Sequence, residues 1–205
     1  MPIYTAPNGF EPVQRRDGLP YAGAVREYPI ATGYATQLRR GDLVFLLSTG
    51  ALVKWAGTTG VYTGGADTTA DAGILGVFMG CSYTDAVLGK TFRTYWTAST
   101  AAADAMAMVV DDPDVIFRAI YVSSGVTVSA QTYAATIGKN VAVVQNTTKT
   151  QTSDIAITGA ATTATLPFRV VDVDRDSAAS ATTYTALFIT YGITFHAWTV
   201  ATGVA

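Results

Sequence analysis

The sequence predicts an all-β protein: a β-barrel or β-sandwich body of about nine or ten short strands, preceded by an extended, proline-rich N-terminal arm. Apolar, β-branched and aromatic residues recur in short runs between Gly-, Asn-, Asp- and Ser-containing turn signals. No long amphipathic helix pattern interrupts these runs. Many short strands at regular spacing are typical of barrels and sandwiches.

The first 30 residues differ from the rest because they hold five of the seven prolines. Proline fixes φ and removes a backbone donor, so this stretch is predicted to be neither a helix nor a central strand. It is either a disordered tail or a strap that becomes ordered against a neighbouring subunit. Apolar anchors favour the strap. These anchors are Ile3, Tyr4, Phe10, Val13, Leu19 and Tyr21.

The first half of the body contains two predicted hairpins. Residues 42–47 and 51–55 are apolar runs separated by a Ser-Thr-Gly turn. Residues 74–83 are predicted to form a buried strand whose glycines permit a bulge or the close approach of a neighbouring backbone. Residues 91–96 alternate in polarity and are expected to pair with that strand through a turn at residues 85–90.

The second half continues the pattern, and we treat residues 31–195 as one body followed by a C-terminal tail at 196–205. Aspartates and a proline at residues 111–114 end one strand and precede the next. The predicted strands of this half are residues 108–110, 115–122, 139–145, 154–158, 166–173 and 183–194.

Composition limits the classes of partner. Charged residues make up 14% of the chain and the formal net charge is −2, so attraction to nucleic acid is not expected. One cysteine permits no intramolecular disulfide, and one cysteine with one histidine makes a zinc site improbable, so no cofactor is predicted. The N-terminus lacks a secretion-signal pattern and no apolar run is long enough to span a membrane. We therefore expect synthesis in a bacterial cytoplasm.

Candidate catalytic residues are few, and we predict that the protein is not an enzyme. A serine or cysteine nucleophile would have to use His196, the single histidine, as its base. Cys81 lies in a hydrophobic run and is interpreted as a small buried residue. The aspartates at 172–176 resemble the start of a calcium loop but lack its glycine and its acidic last position, so a strand end paired with arginine is preferred. The aspartates at 111–114 are interpreted as turn-forming residues.

Four segments in order resemble a known class of protein: residues 30–44 (IATGYATQLRRGDLV), 73–83 (GILGVFMGCSY), 92–99 (FRTYWTAS) and 109–117 (VVDDPDVIF). Together they are similar to small proteins that tailed bacteriophages encode near the major capsid protein. These act as capsid decoration (cement) proteins or minor head structural proteins. The resemblance covers roughly residues 28–175. Its motifs are structural, so no catalytic residue is implied.

The resemblance implies a virion protein at the capsid surface that binds the major capsid protein lattice and stabilises it. We expect this protein to act as a homotrimer. The alternative is another virion component, such as a head fibre, tail or receptor-binding protein with a glycan-binding domain. Tyrosines and tryptophans such as Trp198 would then form a sugar-binding face, although core packing is the preferred interpretation. The residues predicted to contact the shell or a neighbouring subunit are Tyr4, Phe10, Arg15, Arg16, Leu19, Tyr21, Arg26, Arg39 and Arg40.

Overall fold

A computed structural model describes residues 6–55, 73–122, 136–144, 153, 155–162, 166–178, 185–192 and 196–198. Their regular secondary structure is almost entirely β-strand, which confirms the predicted all-β class. The strands are β1 (Glu11–Arg15), β2 (Arg26–Pro29), β3 (Leu38–Arg39), β4 (Leu43–Leu46), β5 (Leu52–Lys54), β6 (Gly76–Asp85), β7 (Gly89–Arg93), β8 (Tyr95–Trp96), β9 (Met106–Val110), β10 (Val115–Tyr121), β11 (Asn140–Val144), β12 (Ala156–Ala161), β13 (Phe168–Val173) and β14 (Thr185–Tyr191). One four-residue helix, α1 (Arg175–Ala178), precedes β14 in the described part of the chain.

The first sheet closes into a small barrel. Its strand order is β1-β10-β12-β11-β13-β14, and β10 also pairs with β14. That pairing is antiparallel, whereas β10 meets β12 in parallel where Tyr121 lies opposite Ile157. Closure leaves β1 as an additional strand outside the ring and removes the free edges of the other five.

The barrel is filled by side chains. In β13 the inward residues Phe168, Val170 and Val173 are buried, and an irregularity in pairing after Val170 shifts the alternation by one residue. Tyr191 of β14 contacts the ring of Phe168 at a centroid distance of 5.2 Å. A barrel of this size has no room for a channel, so its interior is a hydrophobic core.

The second sheet has the order β2-β9-β6-β4-β5, with β7 paired to the far end of β6. An isolated bridge between Ile30 and Leu52 joins the two end strands, and β3 and β8 form a separate two-stranded sheet. Because side chains alternate along a strand, Leu43 and Phe45 belong to the barrel's core, whereas Val44 belongs to a second core that contains Trp96. Strand β4 therefore lies between two cores.

The glycines of β6 permit the close approaches predicted for this strand. The pairing with β9 shifts between Phe78 and Gly80. A Cβ atom at Gly80 would lie 2.8 Å from the carbonyl oxygen of Arg93, and one at Gly76 would clash with the carbonyl oxygen of Val110. The pairing of β6 with β7, from Cys81 opposite Arg93 onward, confirms the second predicted hairpin.

The N-terminal segment was predicted as an extended arm outside the body, and the structure places its described residues differently. Phe10 is buried in the barrel core, stacked on Phe168 at 5.0 Å, and β1 and β2 extend the two sheets. The prolines fit because each strand has one partner in its sheet, and Pro12 adjoins a bulge. Burial of Phe10 stabilises this position because it removes a large apolar surface from water. Residues 1–5 lie outside the described part.

The predicted C-terminal tail likewise begins inside the fold. His196 is fully buried and bridges to Ile74, and the Ala197 amide donates to the Ile74 carbonyl at 2.9 Å. Histidine is buried in proteins about as often as tyrosine, so its inclusion in the fold is not unusual. Its position near the C-terminus did not reveal this burial. Residues 199–205 lie outside the described part.

Candidate functional site

Arginines of the N-terminal segment face aspartates of the β9–β10 loop. Arg26 Nη1 lies 3.0 Å from Asp111 Oδ2. Arg15 Nε lies 3.4 Å from an Asp112 carboxylate oxygen, and Arg16 lies 3.7 Å from that of Asp114. The structure thus brings together three of the predicted contact residues, and the carboxylates of the same chain compensate their charges.

Arg16 is held further by the barrel. Its guanidinium donates to Thr190 Oγ1 at 3.0 Å and to the carbonyl oxygen of Tyr191 at 3.2 Å. In the loop, the Asp114 amide donates to Asp112 Oδ1 at 2.9 Å, as expected for turn-forming aspartates. The turn interpretation of residues 111–114 is confirmed, and pairing with arginine is an additional role that the sequence did not reveal.

Asp111 is the centre of this arrangement. Its buried Oδ2 accepts hydrogen bonds from Tyr28 Oη at 2.6 Å and Trp198 Nε1 at 3.3 Å, besides the contact with Arg26. Burial, followed by the hydrogen bond to Asp111, raises the pKa of Tyr28 to about 12. One carboxylate therefore holds together β2, the β9–β10 loop and the end of the described chain.

His196 is fully buried and bonds to the backbone of Trp198. Its Nδ1 accepts a hydrogen bond from the backbone amide of Trp198 at 3.2 Å, and its ring lies 4.6 Å from that of Tyr191. Burial lowers the pKa of His196 to about 4, which outweighs the opposing effect of Asp111. The histidine considered as a catalytic base is therefore a buried acceptor that positions a turn.

Cys81 is not placed as an accessible nucleophile, because it belongs to the second core. Its thiol donates to the carbonyl oxygen of Tyr95 at 3.4 Å, and burial raises its pKa to about 11. This confirms the interpretation of Cys81 as a buried residue.

A surface cleft of about 460 Å³ opens beside Asp111, and we call it the Asp111 cleft. It is lined by Ala24, Val25, Arg26, Asp111, Asp112, Pro113 and Trp198. Of the three tryptophans, Trp55 and Trp96 are buried, whereas Trp198 is 49% exposed. The guanidinium carbon of Arg26 lies 5.9 Å from the centroid of the Trp198 ring, within the range of a cation–π contact.

The second unusual surface is the turn of the β6–β7 hairpin. Val87 is 88% exposed, Phe92 69% and Leu88 67%, the largest values among the exposed large apolar residues of the described chain. Val87 and Leu88 lie in the turn itself and Phe92 lies in β7 opposite Ser82, and we call these three residues the apolar tip. The sequence assigned residues 85–90 to a turn but gave no signal that its apolar side chains are left uncovered, since exposure depends on what the rest of the chain packs against.

The remaining predicted contact residues are dispersed. Leu19 is exposed in the turn after β1, and Tyr21 donates its hydroxyl to the carbonyl oxygen of Ala24 at 2.6 Å. Arg39 is buried in β3. Arg40 lines a separate cleft of about 450 Å³ with Glu11, Tyr21 and Arg118, among other residues. Tyr4 lies outside the described residues, so its contact stays a prediction.

Asp172, within β13, and Asp174, just after it, have partners in their own chain. Asp172 Oδ1 accepts the Val173 amide at 2.8 Å, and Asp174 Oδ2 lies 4.0 Å from Arg118 Nη1. Arg169, on β13, donates to Asn140 Oδ1 at 3.1 Å. In the part of the chain that the structure describes, no group of three or more His, Cys, Asp or Glu side chains is placed to hold a metal ion.

Comparison with known proteins adds no relative: no family model, curated protein or solved structure matches the chain. Within the described residues, no helix has the length and apolar character needed to cross a membrane.

Proposed function

We propose that this protein is a structural virion protein that decorates a tailed-phage capsid and stabilises it by binding the outer surface of the major capsid protein lattice, as a homotrimer and without enzymatic activity. The observation that carries the proposal is the apolar tip. Several highly exposed apolar side chains on one hairpin of a folded protein indicate an interaction surface. Their burial against a partner provides a non-directional driving force proportional to the area removed from water.

The hairpin presents this tip in a fixed conformation. Asp85 Oδ1 accepts hydrogen bonds from the amides of Val87 at 2.9 Å and Leu88 at 3.1 Å. These bonds lower the pKa of Asp85, so the capping carboxylate is ionised at neutral pH. A preformed turn loses little conformational freedom on binding, which favours attachment.

The base of the hairpin is also braced. Thr84 donates both its amide, at 3.0 Å, and its hydroxyl, at 2.6 Å, to the carboxylate of Asp104. Lys90 Nζ lies 3.8 Å from the same carboxylate. Lys90 and Asp104 therefore compensate each other's charge, and the carboxylate of Asp85 is bonded to the turn amides, which reduces the cost of placing this hairpin against an uncharged surface.

The N-terminal arginines contribute less to the proposed attachment than the sequence indicated. Arg15, Arg16 and Arg26 already have carboxylate partners in their own chain. An acidic patch on the shell would have to replace those partners, and exchange of one exposed ion pair for another yields little net free energy. We therefore assign the main contact to the apolar tip, with exposed Leu19 and Arg40 as further candidates.

Co-sedimentation with emptied, expanded capsids tests the proposal. The wild-type protein is expected to bind saturably, in multiples of three copies, and light scattering should give a trimer in solution. The double variant V87D/L88D should bind at least about tenfold more weakly, because two apolar side chains could no longer be buried. Both residues are exposed, so folding should not be affected.

Val171→Asp is the matched control, since Val171 is an exposed valine on β13 of the barrel. It should bind like the wild type. Equal binding by V87D/L88D would exclude the apolar tip as the contact surface. A wild-type protein that is monomeric and does not sediment with capsids would refute the decoration function itself.

A further inference from the structure

The Asp111 cleft combines an aromatic face with hydrogen-bond donors and acceptors. Trp198 and Val25 supply apolar surface, Arg26 supplies exposed N–H donors, and Asp112 supplies carboxylate acceptors. Its volume of about 460 Å³ falls in the range of small-molecule sites. The cleft therefore offers both stacking and hydrogen bonding to a small ligand.

The ring and the backbone of Trp198 are each held by one hydrogen bond. Its indole N–H donates to Asp111 Oδ2 at 3.3 Å, and its backbone amide donates to His196 Nδ1 at 3.2 Å. These bonds fix an aromatic side chain that is 49% exposed, whereas the other two tryptophans are buried. A fixed, exposed aromatic face loses little freedom when a ligand stacks on it.

The charges of the cleft select against ionic ligands. Asp111 is paired with Arg26, and Asp112 is paired with Arg15. Arg15 lies outside the lining but balances the charge of Asp112, so a ligand of either sign would meet both attraction and repulsion and gain little net attraction. A neutral ligand with hydroxyl groups on its rim and an apolar face matches what the cleft presents.

We propose that the Asp111 cleft binds a neutral pyranose sugar, with the apolar face of the ring against Trp198 and its hydroxyls paired with Arg26 and Asp112. This activity goes beyond capsid attachment and does not depend on it, because the apolar tip and the cleft share no residues. On a virion surface such a site would bind neutral cell-surface glycan.

Intrinsic fluorescence gives a direct test, because Trp198 is the one exposed tryptophan of the three. The full-length protein is titrated with neutral methyl glycosides and short oligosaccharides of glucose, galactose, mannose and N-acetylglucosamine. We expect saturable quenching or a blue shift with at least one of them, with a Kd on the order of 1 mM for a single ring. Sialyllactose serves as the anionic comparison and should bind more weakly.

Saturation-transfer NMR measures binding without relying on tryptophan. Trp198→Ala should weaken binding at least tenfold. Asp112→Asn, which keeps an acceptor for the turn amide of Asp114, should weaken it several-fold. Leu88→Ser, in the apolar tip, should bind sugar like the wild type.

Absence of saturable binding up to about 50 mM, roughly fifty times the expected Kd, would overturn the proposal. So would binding that survives Trp198→Ala, or a preference for the anionic sugar. These results would leave the capsid co-sedimentation result unchanged, so failure of the sugar site and failure of the decoration function are distinguishable.

Discussion

His196 is the residue whose role depends most on tertiary structure. The sequence marks it as the single histidine and hence as the required base of any serine or cysteine nucleophile. The fold buries it against Tyr191 and uses its Nδ1 as an acceptor for the Trp198 amide. An acceptor role requires the neutral ring, so the environment that holds Trp198 in place also disfavours protonation.

His196 should make stability fall with acid over a defined range. The unfolded chain takes up a proton near the ordinary histidine pKa of 6.5, whereas burial keeps the folded form neutral down to about pH 4. The unfolded state therefore binds more protons between these values, and the free energy of unfolding decreases as pH falls through this window. The contribution is about 3 kcal/mol once the pH is below both values.

Urea unfolding at several pH values checks this expectation. Carboxylates also titrate in this range, so His196→Gln is the reference: it cannot be charged, and its decline between about pH 7 and about pH 4 should be smaller by about 3 kcal/mol. Because the chain has no other histidine, the difference isolates this residue. Parallel pH profiles for the two proteins would contradict the assignment.

For Asp111, the sequence predicted the local role but not the distant partners. Its position before Pro113 explains the turn, and the structure confirms that local role for the loop. Tyr28 and Trp198, which donate to it, are 83 and 87 residues away along the chain. No local pattern reveals partners at that separation.

At the scale of elements, strand β6 depends on two glycines. Gly76 lies where β6 pairs with β4, and its missing side chain leaves room for the carbonyl of Val110 on β9. Glycine within a strand marks such close backbone approaches, which the sequence predicted for this run. Which backbone approaches it was visible only in the sheet.

Gly76→Ala should destabilise the protein by about 3 kcal/mol or more, because the added Cβ would contact backbone and Val109 with no room to move aside. Urea denaturation at neutral pH measures the loss. Gly18→Ala is the comparison: it meets nothing within 4 Å but has φ +86, so a cost of about 1 kcal/mol is expected. Gly76 does not have a positive φ, so a cost no larger than that of Gly18→Ala would show that the neighbouring backbone moves aside easily and that close packing does not require glycine at this position.

The N-terminal strands illustrate how a correct local rule can accompany an incorrect placement. Proline predicted correctly that residues 1–30 contain no helix or central strand in their described part. It did not predict that β1 and β2 extend the sheets of the body or that Phe10 enters the barrel core. An edge strand and a free extended arm require the same residue types, and only the available partner strand distinguishes them.

At the scale of the whole molecule, the two cores share strands. Leu43 and Phe45 of β4 pack in the barrel core and Val44 packs in the second core, and β6 contributes to both as well. Loss of either core would expose one face of these strands to water. The two cores are therefore expected to unfold together.

The tryptophans allow this to be measured, because Trp55 lies in the barrel core and Trp96 in the second core. In the variants W96F/W198F and W55F/W198F, one tryptophan remains as the reporter. After correction for each variant's own stability by circular dichroism, the fluorescence and backbone transitions should coincide in urea. A fluorescence midpoint that departs from the backbone transition in either variant would show that the cores unfold independently.

The sequence by itself determined the all-β class, most strands of the described body, the β6–β7 hairpin and the burial of Cys81. These follow from periodicity, turn residues and proline chemistry, which act over a few residues. Only the tertiary structure decided the closed barrel, the burial of His196, the Arg–Asp pairs, the Asp111 cleft and the exposure of the apolar tip. Each of these depends on which distant segments of the chain come into contact, because burial and ion pairing are properties of such contacts. Strand formation, in contrast, is largely encoded within a single segment.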